Sequence, residues 1–582
     1  VSRRPAKAVS AAIAVALALL GAYLVRPVFH GFVMSFYKNP LVWLPPLLVL
    51  VVSGVVVLAG SRTDRAGRAA GRPTDPRDDP TPLRPRRPSP YSIEELRRTG
   101  PPPVLIGVAA LTVLLFLVGA FLNTPLTARA VYTNTSYEEI PGLPAGGTVR
   151  LVPRDVAVQS TSSGFNSPTE RLSDFHIVRT PRGLEWTSLR TPDGTVRTFT
   201  KKSQGIVSLD ALQTERNSRQ TDARLEVAPG LQVTDNLRWR ILKEHFLVDP
   251  VEPTAILDDQ GRPLIVAPYL EYRGILVRRP VLGGVFVVNP DGRIEDLSPE
   301  QARARPEIAR SGRLYPEPLA RIVHDAYAYK RGIVNRLLFH EEQTQITDTE
   351  SNEQPYLIDF GARGAKWVTV AEPYGRAFAA SAIFLTDAVT GATQIWRVPR
   401  NQSLSGNRRA IQAVRSASIP GVVFAGDDAR GPSAGGRFQV VEPRPVFTGG
   451  RLVYLLSIVP ESANAVSKSV IVDAASNKVV RIFDSDLDPD ADRQTVAFLA
   501  TGKAPADSGV PAGSDAGAPG ATASSPSAGG ASPAPGGGSP SGARGSPPAG
   551  TSAERRIDRL IERQRQVLRD TEALRESLRE SR

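Results

Sequence analysis

The chain has 582 residues, of which 41% are hydrophobic and 22% charged, and its formal net charge is +13 at pH 7. It contains no cysteine, which excludes disulfides, thiolate metal sites and thiol nucleophiles. Residues 1–102 account for +9 of the net charge, whereas residues 103–552 carry only about +2. Because nucleic-acid binding requires clustered Lys and Arg side chains, we predict no nucleic-acid partner. Only ten of the 71 basic residues are lysines, which indicates a GC-rich, bacterial genome.

Three uncharged apolar runs are long enough to cross a bilayer as helices. They are Ala8–Val25, Leu41–Gly60 and Val104–Leu122. The first run could instead be a signal peptide, since Arg3, Arg4 and Lys7 precede it. None of the runs contains Asp, Glu, Lys, Arg or His, so no proton or ion relay is predicted in the membrane.

The loops between these runs predict the orientation of the protein in a cell membrane. The loop 61–102 carries ten basic residues, including "RPRR" at Arg84–Arg87. The positive-inside rule therefore places the N-terminus and this loop in the cytoplasm, and everything after Leu122 outside it. We predict a multi-pass membrane protein in contact with membrane lipids, with an extracytoplasmic body and C-terminus.

The extracytoplasmic body is rich in short strand patterns separated by turn residues. "GVFVVNPDGRIEDLSPEQA", from Gly284 to Ala302, predicts two strands around the turn Asn289–Gly292. Ser298 and Gln301 then form a capping box for a short helix. Further helices are predicted at Asp235–Phe246 and Asn407–Val414, and at Pro316–His340 with a break at Gly332.

The same pattern of strand, turn and strand occurs four times. The copies align on Asp210, Asn289, Asp387 and Asp473, at steps of 79, 98 and 86 residues. Before each copy lies a strand that ends in proline, at Pro192, Pro268, Pro373 and Pro460. We predict internal repetition; chance similarity of turns between Val-rich strands is the alternative. The predicted modules are 123–235, 236–345, 346–430 and 431–500.

The unit of strand, hairpin and helix, with "SPEQA" after the second copy, resembles the small exported PepSY domains. The resemblance covers about 40 residues of each copy and is clearest in the second. It implies small α+β modules in which a helix packs on an antiparallel sheet. It also implies a role in restraining peptidases or in sensing at the cell envelope.

No constellation of side chains in the sequence predicts a catalytic, cofactor or metal site. "HEEQTQ" at His340 lacks the second histidine of a zinc-protease helix, since Thr344 stands there. His324 and Asp325 are predicted to be solvated. "DSDLDPDAD" at Asp484–Asp492 alternates carboxylates as calcium loops do, but it lacks the glycine and the closing Glu, so a solvated segment is predicted. An unfamiliar active site around Glu341, Asp359 or Glu372 is the alternative.

The C-terminal part is predicted to be a linker followed by a helix. Residues 503–550 consist mainly of Gly, Ala, Ser and Pro and cannot form a core. Residues 551–582 show heptads and predict a coiled coil for self-association or partner binding. The a and d positions are Ile557, Leu560, Gln564, Val567, Thr571, Leu574 and Leu578. A single charged amphipathic helix is the alternative.

These features predict an α+β protein with three N-terminal membrane helices, an array of small β-rich modules, a disordered linker and a coiled-coil helix. The function they favour is a non-catalytic scaffold or binding subunit of a bacterial envelope complex. One alternative is a PepSY-like envelope sensor or peptidase regulator. Another is an accessory subunit of a secretion or conjugation apparatus.

Overall fold

The computed structural model describes residues 13–17, 20–70, 103–215, 218–348, 354–375, 378–424, 437–462 and 464–503. These belong to a unit that spans Val1–Ser508. It contains both helices and mainly antiparallel sheets, which is consistent with an α+β fold. The predicted linker beyond Lys503 and the predicted coiled coil at 551–582 lie outside the described residues.

The N-terminal region is helical and continues past the predicted boundaries. Its helices are α1 (Ile13–Leu24), α2 (Arg26–Lys38), α3 (Pro40–Ala70) and α4 (Pro103–Thr133). The segment between the first two apolar runs was expected to be a loop, but it forms α2, which meets α1 at a bend of 80°. Helix α4 runs 11 residues beyond the predicted end at Leu122.

One helix in the described part of the chain is long and apolar enough by itself to span a membrane. This is α4, over Ile106–Thr133. The bent pair α1 and α2 could form a second span, and the apolar stretch of α3 at Pro40–Val55 is shorter. The described residues therefore support one membrane-spanning helix, fewer than the three predicted.

The described strands of the body form four sheets. The first contains β2 (Glu170–Leu172), β3 (His176–Thr180), β4 (Gly183–Pro192), β5 (Ser203–Asp210) and β6 (Ser218–Leu225). The second contains β7 (Asp249–Pro250), β8 (Thr254–Leu257), β9 (Pro263–Arg273), β10 (Arg279–Val288) and β11 (Ile294–Leu297). The third contains β1 (Tyr137–Glu139), β12 (Thr344–Gln345), β13 (Tyr356–Asp359), β14 (Ala365–Pro373), β15 (Ala382–Asp387) and β16 (Thr393–Arg397). The fourth contains β17 (Val423–Phe424), β18 (Arg437–Thr448), β19 (Arg451–Pro460), β20 (Lys468–Asp473) and β21 (Lys478–Asp484).

Each sheet contains the same antiparallel meander of four strands. The meanders are β3-β4-β5-β6, β8-β9-β10-β11, β13-β14-β15-β16 and β18-β19-β20-β21. We call the first strand of each meander its outer strand. In the first three sheets this strand is in two pieces, since β3, β8 and β13 pair with one end of the second strand and β2, β7 and β12 pair with its other end. In the fourth sheet β18 is continuous, but it bulges between Val441 and Arg444. All four outer strands therefore have a break opposite the middle of the second strand.

The four aligned Asx residues lie at the turn that follows the third strand of each meander. Asp387 accepts hydrogen bonds from the backbone N–H groups of Val389 and Thr390, at 3.0 and 2.8 Å. Asp473 accepts equivalent bonds from residues 475 and 476 at 3.1 and 2.8 Å. The Asp carboxylates thus accept hydrogen bonds from backbone N–H groups for which the turn provides no backbone acceptor. This explains why Asp recurs at the turn.

A helix follows every meander. These helices are α7 (Leu237–Glu244), α8 (Pro299–Arg303), α11 (Asn407–Ser416) and α12 (Ala491–Thr501). The capping box of Ser298 and Gln301 is present at α8. Asp235 was expected to cap the helix predicted at Asp235–Phe246, but Asn236 accepts the hydrogen bond from Trp239 N–H, so α7 runs from Leu237 to Glu244. The remaining helices of the body are α5 (Arg154–Gly164), α6 (Thr195–Thr200), α9 (Pro306–Ser311) and α10 (Glu317–Ala326).

The sheets share their hydrophobic cores. One core joins Tyr356 and Val370 of the third sheet to Val440 and Tyr454 of the fourth. A second core joins Trp186 of the first sheet to Trp367 of the third and Val459 of the fourth. A third lies between the first and second sheets. Because the central strands are buried on both faces, the sheets pack against one another as one body.

Candidate functional site

A charged cavity of about 480 Å³ lies where the breaks of the four outer strands meet. Each sheet contributes residues at or beside its break. These are Phe175 and His176 from the first sheet, Glu252 from the second, Asp348, Gln354 and Pro355 from the third, and Glu442 from the fourth. Helices α5 and α10 complete the wall with Arg154, Asp155, Glu317, Pro318 and Arg321. The size is within the range of small-ligand pockets.

Glu442 lies in the bulge of β18 and has a φ of +49°, a conformation that non-glycine residues rarely adopt. Its carboxylate accepts two hydrogen bonds of 2.9 Å from Arg150, and a third of 3.2 Å from the backbone N–H of Arg154. Arg154 is the first residue of α5, so the carboxylate also compensates the positive end of that helix. Burial works to raise the pKa of Glu442, but Arg150 and Arg444 outweigh it and hold that pKa below its usual value.

Glu252 has the same arrangement in the second sheet. It lies between β7 and β8 with a φ of +44°. Its carboxylate accepts a 2.7 Å hydrogen bond from the buried Arg313 and a 3.2 Å bond from the backbone N–H of Glu317, the first residue of α10. In both sheets, therefore, the break directs a glutamate to one arginine and one helix N-terminus.

His176 enters the cavity wall as a neutral imidazole. Its Nδ1 lies 3.4 Å from Nη2 of Arg313. Because a guanidinium only donates hydrogen bonds, Nδ1 must accept and the proton must be on Nε2. Burial, together with the charges of Arg313 and Arg154, lowers the pKa of His176 well below its usual value.

Glu317 faces the cavity as a second carboxylate beside Glu252. Its side chain keeps 30% of its surface accessible and forms an ion pair with Arg313, whose Nη1 lies 3.8 Å from Oε2. Burial in the cavity, and then the charge of Glu252, raise the pKa of Glu317 to about 7. The cavity thus holds a carboxyl that changes charge near neutral pH.

The cavity opens to solvent beside α5 and α10, where Asp155, Pro318 and Asp348 are exposed. Arg321 spans this opening. It donates hydrogen bonds of 2.8 Å to each oxygen of Asp348 and one of 2.9 Å to Asp325. With arginines and carboxylates on the same wall, beside Phe175 and Trp186, the cavity can bind a ligand that carries charge and an apolar group.

The structure does not bring together the carboxylates that the sequence offered for an unfamiliar enzyme. Asp359 pairs with Arg179 and lies opposite Ala365, at the start of β14. Glu372 is near the other end of the same strand, where it is buried and accepts a 2.9 Å hydrogen bond from Thr347. Glu341 is exposed and pairs with Arg331. The described part of the chain holds no group of three His, Asp or Glu side chains that could bind a metal ion.

The expectation that His324 is solvated was wrong. Its ring is 1% exposed and lies between the hydroxyls of Thr369 and Thr386, each at 2.8 Å, because α10 packs on the third sheet. Burial lowers the pKa of His324 to about 3. Asp325, on the neighbouring position of the helix, is exposed as predicted.

The acidic segment Asp484–Asp492 is also less solvated than expected. Asp484 pairs with Lys468, and Asp486 accepts a hydrogen bond from Ser467. Asp492 accepts a 2.6 Å bond from the backbone of Thr214, in the loop between β5 and β6. The segment leads into α12, whose Phe498 and Leu499 are buried. Asp492 therefore joins this segment to the first sheet.

Sequence reasoning missed Glu252 and Glu442, although one signal was available. Both stand in the tripeptide Val-Glu-Pro, at 251–253 and 441–443. A shared tripeptide at the same position of two repeats points to a shared structural task. The seven predicted a and d positions of the tail, Ile557 to Leu578, lie outside the described residues.

No protein-family model matches the chain, and no curated protein is significantly similar to it in sequence.

Proposed function

We propose that the protein is a non-catalytic, membrane-anchored, extracytoplasmic binding subunit or scaffold of a bacterial envelope complex. The observation that carries this proposal is the convergence of all four sheets on one charged cavity. Four sheets with shared cores make a rigid body, and a rigid body with one central cavity suits the holding of a partner better than independent modules do. The cavity is the proposed binding site.

The attachment of the body to α4 supports an anchored role. Val131 of α4 packs on Val323 and Ala326 of α10. Arg129 of α4 donates hydrogen bonds of 2.7 and 3.1 Å to the backbone oxygens of Tyr329 and Lys330. A helix joined to the body in this way fixes the distance and tilt of the cavity relative to the membrane.

We further propose the complete topology: α1, α3 and α4 cross the membrane, with the N-terminus in the cytoplasm and the body and C-terminus outside. The positive charge of residues 61–102 supports this orientation. The identical strand order of the four meanders supports an origin by internal duplication, in which each of the four predicted modules is one repeat.

Affinity capture of the full chain from solubilised native membranes tests the function. We expect one companion protein in a stoichiometric amount. Asp155→Lys, at the opening of the cavity, should reduce its recovery at least tenfold, whereas the control Asp193→Lys, an exposed carboxylate away from the cavity, should leave it unchanged. Recovery of the chain alone, or equal recovery by both variants, would overturn the proposal.

A PepSY-like sensor or peptidase regulator is the second candidate. The cavity favours it, because a volume of about 480 Å³ can enclose a short peptide segment. If purified protein without its companion binds peptides, and Asp155→Lys abolishes that binding, the sensor is favoured over the scaffold. Capture of secretion or conjugation components would instead assign the protein as an accessory subunit of such an apparatus.

A further inference from the structure

A second cavity, of about 610 Å³, lies where α4 leaves its apolar stretch. Its wall is formed by the junction of α2 and α3, the C-terminal turns of α4, the β9–β10 hairpin, helix α10, the π-helical turn at Asn335–Phe339 and residues 344–346. Asn39 and Asn123 join two of these walls, since Nδ2 of Asn123 donates a 2.7 Å hydrogen bond to Oδ1 of Asn39. We call this space the interface cavity.

Three cations line the interface cavity: Lys38, Arg278 and Arg336. Lys38 pairs with Asp249 at 2.5 Å. The two guanidinium groups instead lie over aromatic rings, Arg278 at 4.0 Å from the centroid of Tyr37 and Arg336 at 5.3 Å from that of Tyr374. Aromatic rings position a guanidinium without neutralising its charge.

The described residues give Arg278 and Arg336 no carboxylate at ion-pair distance. Among the described residues of the wall, the single acidic one is Asp325, which pairs with Arg321. The wall of the interface cavity therefore carries an excess of positive charge. Such an excess favours an anionic ligand.

Three buried atoms of this wall that can donate a hydrogen bond have no partner among the described residues. They are Nε of Arg278, Nη1 of Arg336 and Oγ1 of Thr127. Leaving such atoms unpaired costs free energy. A phosphate group has acceptor oxygens for the guanidinium nitrogens and for the threonine hydroxyl.

The outer face of α2 indicates that the interface cavity lies at the surface of the bilayer. Arg26, His30 and Met34 face the body and are buried, whereas the apolar face opposite them is exposed. Val28 is 75% exposed and Phe32 is 63% exposed. A helix that turns its polar side to the protein and its apolar side outward matches an apolar medium outside.

Aromatic contacts connect this apolar face to the membrane helices. The rings of Phe32 and Phe36 are 4.9 Å apart, and Phe36 lies 4.4 Å from Trp43 of α3. Trp43 in turn lies 5.2 Å from Phe116 of α4. Tryptophan, here Trp43, is typical of the membrane–water boundary.

Two apolar protrusions lie next to the same cavity. Ile275 and Leu276, at the tip of the β9–β10 hairpin, are 87% and 50% exposed. Leu338 and Phe339, beside Arg336, are 70% and 66% exposed. Cations flanked by exposed apolar side chains match the two parts of a phospholipid. The cations can contact its phosphate, and the apolar side chains can contact its acyl chains.

We propose that the interface cavity binds the phosphate headgroup of an anionic phospholipid. Arg278, Arg336 and Lys38 contact the phosphate, and the acyl chains lie along α3 and α4. The proposal goes beyond the function proposed above and does not depend on the central cavity. Free inorganic phosphate shares the same chemistry, so the test must separate the two sources.

The test uses the full chain in nanodiscs of phosphatidylcholine, with or without 20% phosphatidylglycerol. Native mass spectrometry of the released protein then measures the fraction that retains one phosphatidylglycerol. We expect Arg278→Gln with Arg336→Gln to lower this fraction at least tenfold. The matched control, Arg262→Gln with Arg400→Gln on exposed parts of the body, should retain the wild-type value.

A second variant separates loss of charge from loss of folding. Arg278→Lys with Arg336→Lys keeps both charges but loses the bidentate contacts, so we expect a threefold to tenfold loss. Unchanged phosphatidylglycerol retention in the glutamine variant would overturn the proposal. So would thermal stabilisation by inorganic phosphate that phosphatidylglycerol does not reproduce, since the ligand would then be a free anion.

Discussion

Glu252 and Glu442 occupy the same position in two different sheets. Each lies in the break of an outer strand with a positive φ, and each is followed by proline. Each accepts hydrogen bonds from the side chain of one arginine and from the first backbone N–H of a helix. A strained backbone of this kind persists only where its surroundings hold it. Here the strain delivers two carboxylates to one cavity, where they set the charge of its wall.

Removing the carboxylate of Glu442 should destabilise the body strongly. Glu442→Ala leaves Arg150 and Arg444 buried without an acidic partner, and we expect a loss of about 3 to 5 kcal/mol in the free energy of unfolding. Asp490→Ala, which removes the exposed partner of Arg493, is the control and should change it by less than about 0.5 kcal/mol. Chemical denaturation of the detergent-solubilised protein measures both. Equal effects would show that the Arg150–Glu442 pair is not needed for folding.

Glu317 should make stability depend on pH near neutrality. Its pKa in the folded protein is raised to about 7 from the ordinary 4.5, so the neutral form is favoured by folding. The stabilisation is complete below about pH 4.5 and is lost as the pH rises through about 7. We therefore expect Glu317→Gln to be more stable than the wild type at pH 8, by about 1 to 2 kcal/mol after allowing for water in the cavity.

The difference between Glu317→Gln and wild type, measured from pH 5 to 8, isolates this group. His324 acts in the opposite sense, because its depressed pKa removes stability as the pH falls below about 6.5. That contribution is common to both proteins and cancels. A difference that does not vary with pH would contradict the assignment of the raised pKa to Glu317.

The outward face of α2 should be in contact with lipid. Because the chain has no cysteine, a single Phe32→Cys substitution can carry a fluorophore without further changes. We expect quenching by nitroxide-labelled acyl chains comparable to that at Val113 of α4, and at least fivefold stronger than at Arg262 on the body. Quenching of the Phe32 position by aqueous iodide instead would show that α2 faces water.

The predicted coiled coil at residues 551–582 should join copies of the chain. Chemical crosslinking of the full protein in its membrane is expected to give oligomers that a chain ending before residue 553 does not form. Replacing the polar a positions, Gln564→Leu with Thr571→Leu, should strengthen self-association about tenfold, because polar a residues cost stability. Oligomers of the same size with and without the tail would refute this role.

The turns and hairpins could be predicted from the sequence because they depend on local chemistry. Asn289, Gly292 and Ser298 act within a few residues of themselves, and the structure has the turn and the capping box at the predicted positions. The central cavity could not be predicted in this way. Arg150 and Glu442 meet across 292 residues of chain, and no local pattern marks such a pair.

Helix α2 was missed for a different reason. A surface helix is recognised by polar residues on the outside, whereas α2 places Arg26 and His30 against the body and Phe29 and Phe32 outside. The burial of His324 was missed because its partners, Thr369 and Thr386, come from strands 45 and 62 residues away. In both cases, contacts with segments distant in the sequence decide which side chains are buried.

The central claim is that the cavity between the four sheets holds a partner. A photoreactive amino acid in place of Asp155, at the opening of that cavity, tests it most directly in native membranes. We expect one discrete crosslinked product between the chain and another envelope component, and no such product from the same substitution at the exposed Asp193. The same products at both positions, or none at Asp155, would contradict a binding function for the cavity.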